Sequence, residues 1–80
     1  MSVRICFLGP LADLAGDSVR ELAAPLDWAG LISAAGPAIA ARLADSRVHL
    51  ACNGEVLADK TTLAASDGDE VALLPPVSGG

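Results

Sequence analysis

Two short runs of alternating residues, one near each end of the chain, constrain its fold more than any other feature. In VRICFL, residues 3–8, Val3, Ile5 and Phe7 fall on one side and Arg4, Cys6 and Leu8 on the other. In EVALL, residues 70–74, Val71 and Leu73 share a side. A period of two marks a strand with one face turned to a core. What lies between these strands must therefore supply a layer to cover their apolar sides.

The intervening sequence does so. Pro10 ends the first strand, and PLADLAG reads as a short helical turn closed at Gly16, a left-handed cap position. SVRELA, residues 18–23, is a second strand with Val19 and Leu22 apolar. Asp27 is placed to cap a helix whose Trp28, Leu31, Ile32 and Ala35 fall on one face. Gly36-Pro37 breaks that helix, and Pro37 can open a second segment, Ala38 to Ala44. RVHLAC, residues 47–52, is a third strand with Val48, Leu50 and Cys52 together. Asn53-Gly54 is a two-residue hairpin signal leading to a short strand, Glu55 to Leu57, and Asp67-Gly68 marks the turn before the last strand. This order predicts an α+β domain with a mixed sheet packed on a helix face.

Size and charge narrow the function. Eighty residues make one small domain, which buries only about 60% of its unfolded surface. The 52% apolar content is therefore needed, and with Phe7 and Trp28 as the only aromatics the core has to be aliphatic. A stacking platform for bases is excluded on the same count. A net charge of −5 argues against nucleic acid or an anionic membrane as partner and suits docking on basic surfaces. The longest uncharged stretch, Trp28 to Ala41, is too short for a membrane span and is broken at Gly36-Pro37. The opening residues lack the features of a signal peptide, which predicts a cytoplasmic protein.

Chemistry-bearing residues are sparse. Cys6 and Cys52 have neither pairing nor metal-ligand spacing and read as half-buried hydrophobes. His49 lies mid-strand, opposite Val48 and Leu50, without a nucleophile beside it. No glycine-rich phosphate loop is present, so the chain is not expected to bind ATP by itself. Asp67, Asp69 and Glu70 around Gly68 admit a cation site, but a solvated turn is the simpler reading.

The C-terminal run VALLPPVSGG is different. Gly79 and Gly80 have no side chains and would fit a narrow active site, while the carboxylate, with a pKa near ~3.5, is inert until something activates it. The alternative is an ordinary frayed terminus. Pro75-Pro76 cannot continue a sheet ladder and favours an extended conformation in which six residues span about 18–20 Å. Leu8 and Leu74 fall opposite the core set by alternation, and Val56 is placed to join them. An aliphatic outer patch beside such a tail points to a protein partner, against the alternative of scattered exposed aliphatics.

Residues 66–80, SDGDEVALLPPVSGG, resemble the C-terminal signature of the small subunit of molybdopterin synthase, the MoaD family of β-grasp, ubiquitin-like sulfur carriers. The opening strand to Leu8, the short helix to Gly16, the length and the element order agree with it. The sequence departs at Ala12 and Asp13, where relatives often carry Arg-Glu. The resemblance implies a mixed four- to five-stranded sheet on one main helix, with a body over residues 1–74 and a flexible tail over 75–80.

It further implies a carrier cycle. A MoeB-like, ubiquitin-activating-type enzyme would use ATP and Mg to adenylate the Gly80 carboxylate, and a sulfur donor would convert it to a thiocarboxylate. The carrier would dock on a MoaE-like large subunit as a 2:2 heterotetramer, turning cyclic pyranopterin monophosphate into molybdopterin. In that scheme Gly80 carries the sulfur, Gly79 permits insertion, and Pro75, Pro76, Val77 and Ser78 guide the tail. Leu8, Val56 and Leu74 are the candidate contact residues, and the chain itself binds no metal or cofactor. Rival readings are a carrier for thiamine, cysteine or tRNA thiolation, and a ubiquitin-like modifier joined to lysines through Gly80.

Overall fold

A computed structural model describes residues 1–76. In chain order the elements are β1 (Ser2–Phe7), α1 (Pro10–Ala15), β2 (Val19–Ala23), β3 (Leu26–Asp27), α2 (Trp28–Ala35) and α3 (Pro37–Leu43). There follow β4 (His49–Cys52), β5 (Glu55–Val56), a 3-10 turn (Lys60–Thr62), β6 (Ala64–Ala65) and β7 (Glu70–Leu74). Five strands form one sheet in the order β2-β1-β7-β4-β5, and β3 pairs with β6 beside it. The first and last strands run parallel at the centre, each flanked by an antiparallel partner. This is the β-grasp arrangement that the resemblance implies, at the upper end of the expected strand count.

The alternation in the sequence sets the register. Val3, Ile5 and Phe7 of β1, Val71 and Leu73 of β7 and Leu50 of β4 are all buried. They meet Leu31 of α2 and Ile39 and Leu43 of α3 in one aliphatic core. Each such side chain contributes about 1.5–3 kcal/mol on burial, which conformational entropy largely offsets. Asp27 caps α2 as expected, its Oδ1 accepting from the Gly30 N–H at 2.8 Å. Gly16 closes α1 in the left-handed conformation, and Asn53-Gly54 turns with both φ angles positive, at 52° and 84°.

As expected from Gly36-Pro37, a second helix follows the main one, and α3 supplies Ile39 and Leu43 to the core from beyond the break. Two details differ from expectation. The third strand begins at His49 rather than residue 47, because Arg47 and Val48 are held in a turn by hydrogen bonds to Asp45. The two-residue strands β3 and β6 are too short to show any period.

Candidate functional site

The sheet has one face covered by helices and one left open, and residues paired across strands point to the same side. Starting from Cys6, the register carries one row across all five strands: Val19, Cys6, Ala72, Ala51, Val56. The row is apolar throughout. Its middle is made of small side chains and its rims of two valines, 49% and 56% exposed, so the face is a shallow trough. On one side of it lies a charged row, Glu21, Arg4 and Glu70, with Arg4 Nη1 3.9 Å from Glu70 Oε2. On the other lies Leu74 paired with His49, with Leu8 just past the end of β1. Polarity along β7 therefore runs from Glu70 through Ala72 to Leu74, where the strand gives way to Pro75.

The residues expected at the contact surface fare unequally. Leu8 and Val56 are exposed, at 42% and 56%. Leu74 is only half-buried, being on the strand between β1 and β4. His49 is exposed on the open face, as expected. Val19, Cys6 and Ala72 complete the surface without having been singled out for it, and Ala51, only 6% exposed, forms its floor. Alternation could have placed Ala51 and Ala72 there, but alanine carries little hydrophobic signal.

At the tail root, Gly9 (φ 56°), the residue before α1, lies against Pro75; a Cβ at Gly9 would sit 3.6 Å from Pro75 Cγ. Pro75 and Pro76 also line a groove of about 410 Å³ with Pro10, Leu11, Leu14 and Val48. Asp13, Arg42, Asp45 and Arg47 line it too. The guanidinium groups here come from α3 and the turn after it, while α1 offers Ala12, half-buried, and the exposed Asp13. Arg47 binds Asp45 through Nη2 at 2.9 Å, Nε at 3.2 Å and its backbone N–H at 2.9 Å. That side-chain contact, then the backbone one, lowers the Asp45 carboxyl from 3.8 to about 2. Pro75 and Pro76 are thus the described part of the tail; Val77, Ser78, Gly79 and Gly80 lie outside the described residues.

The acidic turn is structural. Asp69 Oδ2 accepts from the Ser66 N–H at 2.8 Å and Oδ1 from Asn53 Nδ2 at 3.1 Å, which lowers its pKa. Asp67 Oδ1 accepts from the Ser2 N–H at 2.8 Å. Among the described residues no His, Cys, Asp and Glu side chains cluster as a metal site, and no helix is long and apolar enough to cross a membrane. Cys6 faces the trough while Cys52 packs on the core, so the two thiols lie on opposite faces. Burial, then the nearby charges of Asp69 and Glu55, raises the Cys52 thiol pKa.

The sequence pattern of the ThiS family matches residues 5–80. The chain belongs to the ThiS family. No curated protein sequence matches it. Among solved structures this ThiS-family chain is similar to SAMP1 of Haloferax volcanii, at 27% identity and a TM-score of 0.80, covering 100% of both chains. It is similar to a chain in the complex of subunits 1 and 2 of the molybdopterin-converting factor of Helicobacter pylori, at 26% identity and a TM-score of 0.66, again over 100% of both chains. A Pyrococcus furiosus protein described as molybdopterin converting factor subunit 1 shares the fold at 23% identity and a TM-score of 0.70, over 96% and 99% of the two chains. The ThiS-family chain has the ubiquitin-like β-grasp of the ThiS/MoaD-like sulfur carriers.

Proposed function

We propose that this chain is the sulfur-carrying small subunit of a molybdopterin synthase. It acts in the cytoplasm and delivers sulfur as a Gly80 thiocarboxylate to convert cyclic pyranopterin monophosphate to molybdopterin. The observation that carries the reading is the continuity of the open apolar face with the tail root. A protein seated on Val19, Cys6, Ala72 and Val56, over the buried Ala51, has Leu8, Leu74 and Pro75 at its edge. From there the remaining residues can thread into a site on that partner, and Gly79 and Gly80 fit where side chains would not. The large subunit then supplies the acid–base groups and the substrate pocket. The Helicobacter pylori complex of subunits 1 and 2 supports a MoaE-like partner. The Gly80 carboxylate needs an adenylating enzyme using ATP and Mg, since it lacks a leaving group, and a sulfur donor to displace AMP.

Similarity to SAMP1, a small archaeal modifier protein, favours one second reading, in which the activated Gly80 is joined to amines of other proteins. Mass spectrometry of the protein isolated from its host separates the two. A gain equal to the replacement of one oxygen by sulfur, localised to Gly80, supports the carrier, whereas adducts with many proteins support the modifier. Val56→Glu is expected to weaken binding to the large subunit by about ten-fold or more, because it puts a charge into an apolar contact. Calorimetric titration of the two subunits reads this directly, and unchanged affinity would exclude the open face as the docking surface. Leu74→Glu is the poorer variant, since its half-buried site adds a folding cost.

A further inference from the structure

Lys60 is the one lysine in the 80 residues. Its Nζ donates to the backbone carbonyl oxygens of Asp45 and Val48, the latter at 2.8 Å. Both carbonyls belong to the turn between α3 and β4, the wall that brings Arg47 and Val48 to the groove beneath Pro75 and Pro76. The residue itself is half-buried in the 3-10 turn. That turn is pinned at its start by Asp59, whose Oδ1 accepts from the Thr61 N–H at 3.0 Å and from Thr61 Oγ1 at 2.6 Å. A surface lysine ordinarily keeps a hydrated head on a mobile stem. Lys60 has neither.

We propose that the fold withholds this amine from acylation, so that the chain donates its own activated terminus but receives one through its lysine only slowly. The inference rests on reading the C-terminus as a group activated by a partner. In the withheld step the Nζ lone pair would attack the carbonyl carbon of an activated Gly80. A C–N bond would form, the C–O bond to AMP would break with its electron pair leaving on AMP, and the amine proton would pass to solvent. Nζ must be deprotonated and free to approach the acyl carbon. At Lys60 it has first to give up two carbonyl acceptors at a partly buried site; the Asp45 oxygen keeps the Val48 N–H, while the Val48 oxygen loses its lysine donor.

The consequence is functional. A carrier adenylated repeatedly is lost each time a side-chain amine captures the acyl group, and here that route is slowed at the one lysine, which leaves the exposed α-amino group of Met1 as the more accessible amine. If the terminus acts instead as a modifier, polymers linked through the lysine of a preceding copy form correspondingly slowly.

The test uses N-hydroxysuccinimidyl acetate on the full chain, an activated acyl ester that needs no adenylating enzyme. Its outcome is therefore independent of whether the sulfur-carrier reading holds. Ala34→Lys, at an exposed position of α2, supplies a reference amine. Peptide mapping is expected to show Lys60 acetylated about ten-fold or more slowly than that reference in the folded protein. In concentrated urea the two rates converge. Equal rates in the folded state overturn the proposal, and so does a Lys60 rate that stays low in urea, because the slowing would then not come from the fold. If the reference variant does not fold, the folded-to-urea ratio at Lys60 in the unaltered chain decides alone.

Discussion

At the scale of single residues, charge is used mainly to hold turns. Arg47 keeps the Asp45 carboxyl at about 2, below its ordinary 3.8. Thr61 lowers Asp59 through its hydroxyl and then its N–H, and Ser66 then Asn53 lower Asp69. A carboxyl whose folded pKa lies below its unfolded one stabilises the fold above the unfolded value and loses that contribution as pH falls through the folded one. For Asp45 the window runs from 3.8 down to about 2. Asp45→Asn is accordingly expected to lower the Tm at neutral pH, with the difference from wild type closing as pH approaches 2. Thermal unfolding followed by circular dichroism across this range checks it, and an offset independent of pH would contradict the assignment. Residue patterns also showed their limits here. Leu8, Val56 and Leu74 looked equivalent by alternation, yet Leu74 is the most covered, because strand order decides which outward-facing side chains have neighbours on both sides.

At the scale of elements, the boundaries were legible wherever a backbone group or cap forces them. Asp27 before Trp28, Gly16 after Ala15 and Asn53-Gly54 between β4 and β5 all act through their own local hydrogen bonds and φ angles. Gly36 is the sharpest case: with φ 89° and ψ 165° it lies where other residues are strained, and it sets how α3 leaves α2. Gly36→Ala is expected to cost about 1–3 kcal/mol in urea unfolding. A Cβ there would meet nothing within 4 Å, so the cost is backbone strain rather than a clash. Gly16→Asn, at a left-handed position that asparagine tolerates, should cost clearly less. Equal losses at the two sites would undo the distinction. The strands β3 and β6 escaped the sequence because two residues have no measurable period, and their pairing is a contact between distant segments.

At the scale of the whole molecule, the described residues close a core of their own. Among the described residues every buried hydrophobic lies between Val3 and Leu73. Deleting Gly80 is therefore expected to leave the Tm unchanged while abolishing thiocarboxylate formation, read by differential scanning calorimetry and intact mass; a fallen Tm would show that the terminus contributes to the fold. By itself the sequence determined the α+β class, the aliphatic core set and the C-terminal run PPVSGG, because each rests on local period, composition or backbone chemistry. Only the tertiary structure decided what surrounds them. Pairing β1 with β7 in parallel brings residues more than sixty positions apart into one row. Adding β4 and β5 turns isolated small side chains such as Cys6, Ala51 and Ala72 into a continuous apolar trough ending at Pro75. The same long-range folding carries Lys60 onto the carbonyls of Asp45 and Val48. No local pattern encodes these juxtapositions, since they depend on strand order and register, which the packing of the core sets.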